Sequence, residues 1–162
     1  MNTTNATSCE SPLDSADASH IAVNQSAEIV AETWAEVHAG VQQILGSLDK
    51  GIQKQVADVR VLEGKSQAPG YSLFTYRTFS RSAVEIDPIV VAILFSKVNE
   101  NEIALDADIS GESTGDQIET LARRVVSANR TELLMAAQEL ASKLACAGAK
   151  ISEALLDGDR TA

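Results

Sequence analysis

Residues 88–109, PIVVAILFSKVNENEIALDADI, decide the fold. Val90, Val91, Ile93, Leu94 and Phe95 follow one another with only Ala92 between them. So short an apolar run, β-branched in the main and opened by Pro88, reads as a strand buried on both faces. Past the polar turn Asn99-Glu100-Asn101-Glu102 the chain alternates strictly. Ile103, Leu105, Ala107 and Ile109 fall on one side, with Ala104, Asp106, Asp108 and Ser110 on the other. That pattern is a strand with one wet face, and the two runs form a β-hairpin.

The segments flanking this hairpin are of two kinds. Before it, YSLFTYRTFS over 71–80 is aromatic and β-branched and reads as a third strand. A three-stranded antiparallel meander with the Pro88 strand in the middle follows from the order. Further upstream, Val30, Trp34, Val37, Val41, Ile44 and Leu48 recur at four- and three-residue spacing. This helical stripe continues through Ile52, Val56 and Val59, and ends between Gly64 and Gly70. Gly46 and Gly51 lie inside it, so a bend there is expected. Downstream, Thr114 with Gln117 looks like a capping box, and Ile118, Leu121 and Val125 continue as a helical stripe. Asn129 with Glu132 repeats the cap signature. Leu133, Ala137, Leu140, Leu144, Ala147, Ile151 and Leu155 then form a longer stripe, on which Cys146 reads as a small core residue.

The expected fold is therefore α+β: a long N-terminal helix, three strands, and a C-terminal helix or helix pair, the helices covering one sheet face. Residues 1–23 are rich in Ser, Thr, Asn, Asp and Ala and read as a disordered polar tail. Residues 24–158 form one domain, and 159–162 a short tail. Stripes of this length exceed what a three-stranded sheet can bury, which points to a homodimer or to an antiparallel helix pair.

Composition narrows the function. The net charge of −10, from 23 acids and 13 bases, opposes binding to nucleic acid or to an anionic membrane. No stretch approaches the roughly 20 apolar residues of a membrane span. The first residues lack a basic region followed by an apolar one, so the chain reads as cytoplasmic. Two widely separated cysteines, Cys9 and Cys146, suit a reducing compartment. Neither His20 nor His38 has a Cys, Glu or second His at metal-ligand spacing, and no nucleophile elbow or phosphate loop is present. The chain is expected to be no enzyme and to need no cofactor.

Two sets of residues remain. Tyr71, Phe74, Tyr76 and Phe79 crowd the first strand. If that strand is the open edge of the sheet, they frame a site for strand addition by another protein. Asp106-Ala-Asp108-Ile-Ser110-Gly111-Glu112 places oxygen ligands at alternate positions with a glycine at the sixth, the spacing of a calcium loop. The same residues also fit a wet strand face turning into a cap. Between Lys97 and Arg123 the chain holds seven acids and no base, a solvated face or a surface for a basic partner.

The helix–three strands–helix outline resembles that of YbaB-like nucleoid-associated proteins, although the acidity here opposes a DNA-binding role. In size and charge the chain resembles the type III secretion chaperones, small acidic α+β dimers that hold a partner chain. The leading expectation is a protein-interaction module, an adaptor or chaperone-like homodimer binding by sheet edge or helical groove. The alternative is a calcium-binding protein using Asp106, Asp108, Ser110 and Glu112.

Overall fold

The computed structural model describes residues 16–68 and 71–161, with side chains described for 31–68 and 71–157. The elements run α1 (Ala16–Gln55), β1 (Val59–Ala68), β2 (Ser72–Arg81), β3 (Ile89–Asn99), β4 (Glu102–Gly111), β5 (Gln117–Ser127) and α2 (Arg130–Thr161). The class is α+β, but the sheet has five strands in the order β1-β2-β3-β4-β5, every neighbouring pair antiparallel. No described helix is long and apolar enough to cross a membrane.

Both additional strands come from segments that carried helical spacing. Val59, expected to close the first stripe, opens β1 after the turn Val56–Val59, where Val59 N–H donates to the Val56 carbonyl at 3.2 Å. In the β4–β5 ladder the register passes from Asp108↔Thr120 to Ala107↔Ala122, and from Ser110↔Gln117 to Ile109↔Glu119. Leu121 and Ile118 are the extra residues of two β-bulges. They are also two of the three residues that suggested a helical stripe, because a bulge breaks the alternation that would betray a strand. Thr114 caps no helix: its hydroxyl accepts from Asp116 N–H at 3.2 Å within the β4–β5 turn. Asp87 pins that turn, its carboxylate accepting from Ser113 N–H at 2.8 Å, and Gly115 takes φ +70° in it.

Helix α1 is continuous through Gly46 and Gly51. It begins at Ala16, inside the expected polar tail, and residues 1–15 lie outside the described residues. At the other end α2 extends to Thr161, so the expected tail over 159–162 is helical as far as it is described. The start of α2 is as its sequence predicts: Asn129 Oδ1 accepts from Glu132 N–H at 2.9 Å, a genuine N-cap.

Five antiparallel strands between two helices make the helices parallel to each other, not antiparallel. Arg130, at the start of α2, donates to Glu36 of α1, while Leu48 meets Gly148 farther along. Both helices cover one face of the sheet. Trp34, Val37, Val41, Leu45, Leu48, Ile52 and Val56 of α1 are buried there, with Leu133, Ala137, Leu140, Leu144, Ile151 and Leu155 of α2. The sheet contributes Leu73, Phe79, Val91, Ile93, Phe95, Ile103, Leu105 and Ile109. Trp34 meets Phe95 edge-on, with ring centroids 6.2 Å apart. Among the described residues, one five-stranded sheet thus takes up most of both stripes within a single chain. Cys146, expected in the core, is exposed on α2.

A polar seam crosses this core beneath α1. Arg77 of β2, only 3% exposed, donates from Nε to Asp49 of α1 at 3.0 Å. Glu63 of β1 approaches the same guanidinium at 3.7 Å. Next to it Gln42 donates to the Thr75 hydroxyl at 3.1 Å. Burial pushes the Asp49 carboxyl above its ordinary range, and the hydrogen bond and charge of Arg77 oppose that shift.

Candidate functional site

Strand β3 shows where function is to be sought. Its sequence reads as buried on both sides, yet only Ile89, Val91, Ile93 and Phe95 are fully buried, against the helices. Val90, Ala92, Leu94 and Ser96 point to the other face and remain partly exposed. Among the described residues no element packs over that face.

The pairing register lays the face out in rows. Leu62, Thr78, Val90 and Ser110 stand side by side across β1 to β4. The next row is Gly64, Tyr76, Ala92, Asp108 and Thr120. After it come Ser66, Phe74, Leu94, Asp106 and Arg123, then Ala68, Ser72, Ser96, Ala104 and Val125. The middle is an apolar patch of Phe74, Tyr76, Val90, Ala92 and Leu94, in which the Phe74 and Tyr76 rings touch with centroids 5.7 Å apart. Leu62 at one margin and Val125 at the other are more than half exposed. Asp106 and Asp108 rim the patch, and Asp106 lies 3.4 Å from Arg123 Nε.

The residues singled out on the first aromatic strand separate. Phe74 and Tyr76 lie on this open face. Phe79 is fully buried under the helices and cannot meet a partner. Tyr71 precedes β2, 66% exposed, with the Lys97 ammonium 5.3 Å from its ring centroid. Strand β2 is no edge, because β1 pairs with it along its whole length. The edges are β1 and β5.

The calcium-loop residues are also rearranged. Asp106, Asp108 and Ser110 sit in β4, an inner strand, and point the same way in succession. Alternate residues of a strand stand about 6.8 Å apart, too far for three side chains in line to enclose one ion. Asp108 accepts instead from Gln117 Nε2 at 3.4 Å, and Glu112 is exposed in the following turn. Among the described residues no group of three or more His, Cys, Asp or Glu side chains is placed to hold a metal. The helical groove exists on the far side of the molecule, a shallow cavity of about 420 Å³ bordered by Ile44, Gly51, Ala141, Ala145 and Gly148.

Leu62, Val90 and Leu94 were missed as surface residues. The signal was present in the two-faced apolar run of β3, which announces a second covered face without saying that the cover comes from outside. No protein family matches the chain, and no curated protein or solved structure is significantly similar to it.

Proposed function

We propose that this chain is a non-enzymatic protein-interaction module, an adaptor or chaperone-like protein, that presents the open face of its sheet to another protein. The observation that carries the reading is the uncovered side of β3, where Val90, Ala92 and Leu94 stand among Phe74, Tyr76 and Leu62 with no described element above them. A contiguous apolar patch rimmed by charge is how a soluble domain marks a contact surface. The two aromatic side chains are the kind of rigid anchor that dominates binding energy at such surfaces. Asp106 and Asp108 at the rim, and the net charge of −10, favour a partner with basic residues around its apolar contact.

The test replaces Phe74 and Tyr76 together by Asn and compares binding partners captured by the two proteins. Partners held by the wild-type chain and lost by the variant, at unchanged melting temperature, support the open face. An identical set of partners on both proteins overturns it.

A further inference from the structure

The two edges of the sheet differ. Strand β5 is bulged twice and carries adjacent Arg123 and Arg124, the devices by which an edge avoids pairing with another strand. Strand β1 carries charges of both signs, Arg60, Glu63 and Lys65, but no bulge. Its ladder with β2 runs unbroken from Val59↔Arg81 to Ala68↔Ser72, so its outer side offers a straight row of backbone donors and acceptors. Seven of its ten residues, Arg60, Leu62, Glu63, Lys65, Ser66, Gln67 and Ala68, are exposed.

We propose that β1 pairs antiparallel with β1 of a second copy of this chain, joining two five-stranded sheets into one across a two-fold axis at Gly64. Facing residues of an antiparallel pair share a sheet face. On β1 the odd residues point to the helices and the even ones away, so a two-fold axis normal to the sheet must pass through a residue position. Two positions bring all but one of the ten residues into register, Glu63 and Gly64. An axis at Glu63 sets that carboxylate against its own copy. An axis at Gly64 sets Glu63 opposite Lys65 of the second copy, and Lys65 opposite Glu63, two complementary pairs related by symmetry.

Two local features suit the second register. Among the described residues Lys65 has no ion pair, and the ion pair of Glu63 with Arg77 is a long one, 3.7 Å. The pairing would extend the Asp49–Arg77–Glu63 seam to Lys65 of the other copy. On the opposite face, glycine meets glycine at the axis, which leaves room for the Tyr76 rings that lie across both. The inference goes beyond the proposed function, since it needs no partner on the open face; it would double that face into one continuous surface.

The experiment is light scattering on the full chain across a concentration series, with charge-reversed variants. The wild type is expected to be a dimer. Glu63→Lys and Lys65→Glu are each expected to weaken it about tenfold or more, because two attractive pairs become two repulsive ones. An equimolar mixture of the two variants, and the double variant Glu63→Lys/Lys65→Glu, are expected to recover it. Glu63→Lys lowers the net negative charge, so a general charge effect would strengthen association where the register predicts loss. A wild-type monomer at roughly 100 μM, a concentration at which a dimer with a dissociation constant of ~1–10 μM would be largely formed, overturns the proposal. So does a dimer indifferent to both single changes. Both variants lie on an exposed strand, and far-ultraviolet circular dichroism checks that each is folded.

Discussion

The ring of Tyr76 lies across Gly64, occupying the space in which any side chain at that position would stand. The two residues are directly opposed on β2 and β1. A glycine would ordinarily weaken a strand by leaving nothing to pack. Here the neighbouring aromatic fills the gap from across the ladder, and in doing so is held flat on the open face beside Phe74.

Gly64→Ala should therefore evict the ring and cost about 1–2 kcal/mol, the penalty of overfilling a packed site. In a Tyr76→Ser chain the same Gly64→Ala change should be neutral or stabilising by up to about 1 kcal/mol, because alanine has less backbone entropy to lose. Urea denaturation of the four proteins checks the reversal of sign.

The register of α1 gives a second prediction. Leu45 is fully buried while its neighbour Ile44 is partly exposed at the helix–helix groove. Leu45→Ala should cost about 2–5 kcal/mol and Ile44→Ala under about 1.5 kcal/mol. Equal losses would mean that α1 is rotated about its axis.

These comparisons show which parts of the chain speak for themselves. Strand β4 and the stripe of α2 were legible because burial on one side imposes a clean period of two or of three and four, and β2 and β3 because their residues are β-branched, aromatic and closely run. The α1 stripe was misassigned by one position, Ile44 for Leu45, since adjacent apolar residues satisfy either choice. Strand β5 was hidden by its own bulges: Leu121 and Ile118 are the residues out of step. Strand β1 was hidden because an exposed edge has no apolar face to display; of its large apolar residues, Leu62 is 65% exposed. The open face was half legible, in the double-sided hydrophobicity of β3. Periodicity could not say which of the two sides the chain would cover itself.

The buried ion pair offers a third prediction. Asp49→Ala leaves the Arg77 guanidinium under α1 with Glu63 alone at 3.7 Å. A loss of about 2–3 kcal/mol is expected, below the ~3–5 of a wholly buried pair, because the Asp49 side chain is 18% exposed. Adding Arg77→Met should recover part of that loss, since the stranded charge is removed with it. Chemical denaturation of the single and double variants decides.

Acid provides a fourth. Asp58 accepts from Arg81 Nη2 at 2.8 Å and from Ala83 N–H at 2.8 Å, and the Arg81 hydrogen bond above all holds its carboxyl below the ordinary range. The Ser113 N–H does the same for Asp87, and Arg130 for Glu36. A carboxyl lowered in the folded state stabilises above its unfolded pKa of about 4. That contribution is lost as pH falls through the folded value. Asp49, raised by burial, has the opposite sign: it costs stability as pH rises past about 4. With three groups against one, the melting temperature should drop from pH 6 to pH 3. Asp58→Asn should flatten that drop while lowering the starting value.

The strands of the sheet follow one another in order, but the two helices that cover it stand at opposite ends of the chain, and Arg130 bonds to a residue 94 positions earlier. On the ribosome α1 is made before the strands and α2 after them. At about 5–20 residues per second, the apolar side of α1 waits some 5–20 seconds for its lateral neighbour. Each strand, in contrast, finds its partner within one hairpin's length of chain, so pairing across the sheet has little loop entropy to overcome. The vulnerable interval in the life of this molecule is therefore the one before α2 emerges, when a finished sheet is only half roofed.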